Sequence, residues 1–554
     1  MKITKTKIFL SIIIIIHLTF IFFSAGQLYY GDYVYFITAA KEIASGHITG
    51  HFGYLDGRLD QNMSSMLIHP PTYVYLLSLF IYLFGENTYS IRSVSTLFAI
   101  GVIILIYLIT KRILKTRDIE ESEKWALIAA FIYAINPMTI QNSILVDIDG
   151  GLLNFFVLLF IYLYISKKNL YYLVPSLFMV FASKMLAPMV LFASLLLLNL
   201  GAKNYKEIFR VIKLFIIAGG SFFLSFILYA SLFNLGWRPL FFHNSILTYL
   251  GYFINSPFRV LFQSLWGFKT FFYFATPFLI FLFIIVSYKI LKNTFEYKTD
   301  YINKNKDLIL LWIYAIITLA IIFLSGISGW NFTKHHIAAI PSAIILIIYF
   351  TPKKIINIEK AIPLILITSL LLLGYFIIFL GDPIIPEIEG RVATTSFIEV
   401  AKPVLIRILL YGIIPIFLCW GLIRRIPKKK IWLTLFFLVI FTSIYLDIIQ
   451  AKADYSTHNL YGDRGLEEVI DFMQDKPPEQ ILCYVHVVYF LDYKETYELT
   501  SLYYNKPKLM ETLPNINWII LYPKDITLIG KDTLKDFELE KEIGSYKILK
   551  RKNR

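Results

Sequence analysis

The chemistry open to this 554-residue chain rests on a few isolated ionisable side chains set among long apolar runs. They are Asp32 in Gly31-Asp32-Tyr33, His69 in His69-Pro70-Pro71, Asp147 and Asp149 flanking Ile148, Lys184, Arg259, Lys334-His335-His336, and Arg391. A carboxylate can take a proton from an attacking hydroxyl. Lysine and arginine hold phosphate as charged donors. Carboxylates and cations together above an apolar floor suit a substrate with a phosphate head and a lipid tail. Each residue also has a plainer role. Asp32 fits the cap of a helix from Tyr33 to Ala44. One of Asp147 and Asp149 fits a capping or structural role, and in an extended segment the two would point the same way. As a metal pair they are weak alone, because hard cations want several oxygen ligands. Lys184 fits a lysine that snorkels to water from a turn, and Lys334-His335-His336 fit interfacial anchors.

These residues matter only if the chain carries them to one face, and its apolar runs set that. Hydrophobic residues make up 57% of the sequence and charged residues 16%, the balance of a polytopic membrane protein. Apolar stretches near 8–24, 90–110, 125–139, 150–166, 170–183, 185–200, 211–233, 271–290, 308–327, 337–351, 361–380, 403–422 and 431–450 give about thirteen spans. The lysine- and arginine-rich loops between them, such as Lys111 to Lys115, Lys203 to Lys213, Lys289 to Lys306 and Arg424 to Lys430, then fall on one side. That side is cytoplasmic by the positive-inside rule, and the first span, behind Lys2, Lys5 and Lys7, starts there. Residues 70–85 are apolar but short for a span. If they crossed, every later loop would change sides, so they are expected to lie at the outer interface, begun by their prolines. Residues 170–183 and 185–200 are expected to be two spans meeting at an outside turn at Lys184. The candidate residues then gather on the outer face. Lys184 and Lys334 are expected at a wet surface there, where their removal would leave folding intact.

The net charge of +15 is thus a topological signal with a secondary attraction for anionic lipid, and nucleic acid is not an expected partner. Two cysteines, Cys419 in an apolar run and Cys483 in the tail, provide no disulfide framework. The expected fold class is an all-α polytopic membrane domain over residues 1–450, with interfacial helices in a first outside loop at 25–88. A small α/β extracytoplasmic domain is expected over 451–554. There Val469 to Phe472 read as helix, while Gln480 to Tyr489, Trp518 to Tyr522 and Tyr546 to Leu549 read as buried strands.

At these motifs the chain resembles the GT-C superfamily of polytopic glycosyltransferases, in particular the branch of the protein O-mannosyltransferases and the aminoarabinose transferase acting on lipid A. The resemblance rests on an ordered series. Gly31-Asp32-Tyr33 is followed by Ala39 to Gly46, then by His69-Pro70-Pro71, Phe84-Gly85 and Arg92. Val146 to Gly150 carry the aspartate before a span, Ser183-Lys184 the lysine at a turn, and Thr333 to His336 with Pro341 the later basic element. The series covers roughly residues 1–350. The glutamate that often follows the first aspartate is Tyr33 here, and the Trp-Trp-Asp sequence of the related oligosaccharyltransferases is missing from 451–554.

The resemblance implies transfer of one sugar from a polyprenyl-phosphate donor to an acceptor hydroxyl of a protein, lipid or glycan at the outer face of the cell membrane, with inversion. Asp32 would be the general base. His69, Lys184, Lys334, His335 and Arg391 would hold the phosphate, stabilising the charge that develops on it. Asp147 and Asp149 would serve the acceptor or, with Asp32, a metal. No cofactor is required by this reading. A divalent Mg or Mn belongs to the alternative of a metal-dependent, oligosaccharyltransferase-like enzyme. A lipid or solute transporter is the remaining alternative, and it calls for mid-span charges or paired repeats.

Overall fold

The computed structural model describes residues 5–23, 31–47, 69–119, 121–235, 275–324, 333–351, 428–452 and parts of 465–552, with a few isolated positions besides. Among the described residues the membrane part is built of helices. In order, α1 is Lys5–Phe23, α2 Gly31–Ala44, α3 Thr72–Phe84, α4 Thr88–Lys115, α5 Ser122–Ala134, α6 Pro137–Ile144 and α7 Gly151–Ile165. Then come α8 Leu170–Ser183, α9 Leu186–Gly201, α10 Tyr205–Leu232, α11 Pro277–Lys304, α12 Lys306–Leu324, a 3₁₀ turn Thr333–Ala339, α13 Ile340–Phe350 and α14 Lys428–Lys452. Among the described residues five helices are long and apolar enough to cross a bilayer: 5–23, 88–115, 205–232, 278–304 and 306–323. Shorter apolar helices, including α3, α7, α8 and α9, pack beside them. The expected spans at 361–380 and 403–422 lie outside the described residues.

The sequence explains most boundaries. Asn87 starts α4 with a capping box: its carboxamide oxygen accepts from Tyr89 and Ser90 N–H, both at 3.0 Å, and Ser90 Oγ accepts from Asn87 N–H at 3.1 Å. Gly85 ends α3 with φ +76°, a left-handed conformation that glycine adopts without strain. The single span expected over 125–139 is instead two helices. Asn136 accepts from Met138 N–H at 3.2 Å, and Pro137, which has no N–H to leave unpaired, opens α6. The span expected at 271–290 is likewise longer. It continues as α11 through Lys289 to Lys304, with a break in helical geometry at Lys298 (φ 45°, ψ −127°).

At the end of the bundle rich in Lys and Arg, guanidinium groups cap neighbouring helices. Arg112 donates to the Ile165 carbonyl at the end of α7 (3.0 Å), and Arg210 to the Lys168 carbonyl (3.0 Å). Arg117 donates to the Lys304 carbonyl and to Asn305 Oδ1 beyond α11. Helix C-termini leave carbonyls unpaired and attract cations, so basic loops serve the fold as well as the topology.

The tail after residue 465 carries a five-stranded sheet in the order β2-β1-β3-β5-β4, where β1 is Ile481–Cys483, β2 Thr496–Glu498, β3 Trp518–Leu521, β4 Phe537–Ile543 and β5 Tyr546–Arg551. The β1–β2 and β1–β3 pairs are parallel, while β3–β5 and β4–β5 are antiparallel. Alternation sends Ile481, Cys483, Trp518, Ile520, Tyr546 and Ile548 to one face with Leu466, Val469 and Met473 of α15 (Leu466–Gln474). Leu482, Ile519, Leu521 and Leu549 face the other way, with Leu509 of α16 (Lys506–Thr512). Three buried strands match the sequence reading. β2 and β4 were not foreseen; β4 is an edge strand whose outward positions are Glu538, Glu540, Lys541 and Glu542, so it lacks a buried apolar run.

Candidate active site

A small apolar core gathers the elements that carry the candidate residues. Phe36, Ile37, Ala39 and Ala40 of α2 meet Tyr73, Val74, Leu77 and Ile81 of α3, Ile91 and Val94 of α4, Leu152 of α7, and Val146 and Ile148. Val146 and Ile148 alternate with Asp147 and Asp149, so burying the apolar pair here anchors the acidic turn between α6 and α7. Asp32 lies in the first turn of α2, one helical turn before Phe36. The Phe36 ring stands 6.2 Å from the His69 ring and 5.4 Å from the Tyr73 ring. The Asp32-bearing helix end, His69 and the acidic turn are therefore tied to one packed unit.

The two aspartates play different parts. Asp147 Oδ1 accepts from the Asp149 amide at 2.9 Å, closing an Asx turn, which is the structural role foreseen for one of the pair. Asp149 instead forms an ion pair with Lys184. The side chains are 5% and 15% exposed, so this is a buried pair, and Lys184 is not a lysine snorkelling to water. That corrects the wet surface expected around Lys184. The lysine sits at the break between α8 and α9 with extended geometry (φ −157°, ψ 131°), the turn anticipated between two apolar stretches. The parallel carboxylates of an extended segment are not found: the chain turns, and the charges diverge.

Several residues that fix this turn were not singled out from the sequence. Ser95 of α4 donates its hydroxyl proton to the Leu145 carbonyl, and Thr96 donates to the Ser143 carbonyl at 3.1 Å. Asn142 Nδ2 reaches the Asp149 carbonyl at 3.5 Å. His17 of α1, fully buried, lies with Nδ1 at 2.6 Å from the Ala134 carbonyl and Nε2 at 3.1 Å from Ser143 Oγ. A carbonyl only accepts, so Nδ1 carries the hydrogen. Arg92, which the sequence series did single out, is buried at the start of α4. The one legible signal was the adjacent pair Gly150-Gly151. A Cβ on Gly151 would run into the Ser95 carbonyl and come within 2.7 Å of the Ala99 nitrogen, so α7 starts in backbone contact with α4.

The 3₁₀ turn that carries Lys334 and His335 packs against α6 and α7, and so approaches the acidic turn. Its neighbour His336 is a core residue. The ring is fully buried between Phe271 and Phe323, 4.9 Å from each, which removes it from the outer-face group. Arg259 and Arg391 lie outside the described residues. Among the described residues no three His, Cys, Asp or Glu side chains are grouped to share a metal.

Residues 68–230, which include His69, the acidic turn and Lys184, match the family described as dolichyl-phosphate-mannose-protein mannosyltransferase. The fold aligns over nearly its full length with ArnT from Cupriavidus metallidurans. In the apo state that protein is 10% identical over 97% of both chains with a TM-score of 0.57. Bound to undecaprenyl phosphate it is 13% identical over 98% of this chain and 97% of that one, with a TM-score of 0.52. The chain shares the fold of that protein. No curated protein matches it at the level of sequence. The family match covers the portion that builds the acidic turn, the lysine break and α3, and the tail lies beyond it.

Proposed function

We propose that this protein transfers a sugar from a polyprenyl-phosphate donor to an acceptor hydroxyl at the outer membrane face. The observation that carries this reading is the buried Asp149–Lys184 pair beside the core that joins α2, α3 and the acidic turn. Holding an ammonium in an apolar surround is costly unless a partner offsets it. Asp149 holds and aims the Lys184 side chain before substrate arrives, which is the preorganisation that stabilises charge developing on a phosphate leaving group. An ammonium has three N–H donors, so Asp149 and a phosphate oxygen fall within its capacity. The match of residues 68–230 to the mannosyltransferase family and the undecaprenyl phosphate bound in the ArnT structure favour the same donor class.

In the proposed step the acceptor oxygen attacks C1 of the sugar while the C1–O bond to phosphate breaks. The bonding pair leaves with the polyprenyl phosphate, and the acceptor's proton passes to the Asp32 carboxylate. Direct displacement inverts the anomeric centre. Lys184, with Lys334, His335, His69 and Arg391 as further candidates, neutralises the leaving phosphate. The α3 helix, with Leu79, Tyr82, Leu83 and Phe84 exposed, walls the path of the lipid tail. A metal at Asp147 and Asp149 would have to compete with the Lys184 ammonium at Asp149. The test is transfer from polyprenyl-phosphate sugars in reconstituted vesicles, with and without EDTA. Transfer that survives EDTA and disappears in Asp32→Asn supports the reading; EDTA-sensitive transfer overturns it in favour of a metal-dependent enzyme.

A further inference from the structure

Tyr73, on the first turn of α3, is fully buried, and its ring packs edge-on against Phe36. Its phenol stands 3.0 Å from Ser95 Oγ. Ser95 has one hydroxyl proton, which is given to the Leu145 carbonyl. The Ser95 oxygen is then left to accept, so Tyr73 must be the donor, and the chain runs Tyr73 O–H to Ser95 O–H to Leu145 O=C. Burial holds the Tyr73 pKa well above its ordinary value, so the donor stays protonated. One side chain of α3 thus grips the acidic turn at Leu145, through Ser95. Further along the same turn, Asp149 holds Lys184.

We propose that Tyr73 is a positioning residue: with Ser95 as its intermediary it locks the Leu145–Asp149 turn to α3, and so fixes where Asp149 places the Lys184 ammonium. The part that concerns phosphate rests on the function proposed above; the lock on the turn does not. The consequence is that α3 and the phosphate-holding lysine form one mechanical unit, so a lipid seated along α3 meets a cation already set at its head. A tyrosine serving only as core would leave its ring essential and its hydroxyl dispensable.

The test compares the full-length parent with Tyr73→Phe and Ser95→Ala in reconstituted membranes, using undecaprenyl phosphate as the probe. Tyr73→Phe keeps the ring against Phe36, and thermal unfolding checks that both variants fold. Amide exchange over residues 145–150 should quicken by about tenfold or more in either single variant, and no further in the double, because both cut the same chain. Tyr73→Phe should weaken undecaprenyl phosphate binding about five- to tenfold, and by less than about twofold when Lys184 is already glutamine. Unchanged exchange in both variants would overturn the proposal, as would binding losses that simply add. If Lys184→Gln binds undecaprenyl phosphate as the parent does while exchange still quickens in Tyr73→Phe, the lysine's phosphate role fails and the lock on the turn stands.

Discussion

At the scale of single residues, the buried Asp149–Lys184 pair dictates how the site must be probed. Lys184→Gln alone strands a carboxylate that is 5% exposed, and breaking such a pair by removing one partner costs about 3–5 kcal/mol. Asp149→Asn with Lys184→Gln removes both charges and should recover most of that loss, since neither remaining group needs a counter-ion. We expect thermal unfolding in detergent to show a marked drop in the single variant and a small one in the double, with transfer lost in both. An equally small drop in both would mean that water reaches the pair. Asp32 calls for a different substitution. The helix starts at Gly31, so Asp32 is a first-turn residue and not the cap expected from the sequence. Asparagine keeps its size there and forgoes only the favourable interaction of a negative charge with the helix N-terminus, about 0.3–1 kcal/mol, so Asp32→Asn should leave α2 intact. As general base, Asp32 should instead be worth about a hundred- to ten-thousandfold in turnover. A variant that keeps more than about half the parent rate would leave Asp32 a structural first-turn residue.

At the scale of elements, what was readable in the sequence depended on whether a residue announces its partner. The break at Lys184 was readable because a lysine between two apolar stretches has few bland explanations. The short helix α3 was readable as a helix because its apolar run starts behind two prolines and stops at Gly85. The partnership of Asp149 with Lys184 was not, because it joins positions 35 residues apart and needs α7 and α8 to pack side by side. Nor were Tyr73, Ser95 and His17, which look like filler in apolar helices until their hydroxyls and ring nitrogens are seen to meet other hydroxyls and backbone carbonyls. The separate helix α6 was missed because hydropathy continues across Asn136-Pro137 while the backbone does not. Gly151 gives this scale its prediction. Alanine there has no room, since the Ser95 carbonyl and the Ala99 amide occupy the space, and rigid backbone on both sides cannot rotate away as a side chain would. Overpacking of this kind costs about 1–3 kcal/mol. Gly151→Ala should therefore lower the melting temperature and also weaken undecaprenyl phosphate binding, because the start of α7 carries the acidic turn with it. Gly220, with nothing within 4 Å of an added Cβ, is the control position, and Gly220→Ala should do neither.

At the scale of the whole molecule, the proposed site works only if the acidic turn, the α8–α9 break and the start of α2 share the outer side of the membrane, as charge alternation along the sequence leads one to expect. The arginine caps at the ends of α7 and α11 hold the cations of those loops to helix termini at one end of the bundle. The proposed topology puts the Asp32 region on the opposite side and, if α14 (Lys428–Lys452) crosses, the tail with its sheet there as well. Glu538 in the edge strand β4 is exposed, whereas the tail's own cysteine, Cys483, is buried in β1. A Glu538→Cys variant should therefore react with a membrane-impermeant maleimide in sealed right-side-out vesicles and resist it in inverted ones. The parent chain, treated alike, reports any background from its native thiols, and detergent-opened vesicles set full labelling. Reaction in inverted vesicles alone would reverse the side assigned to the tail. It would require one more or one fewer crossing between the acidic turn and residue 465, and the outer-face reading would then have to rest on residues 31–235 alone.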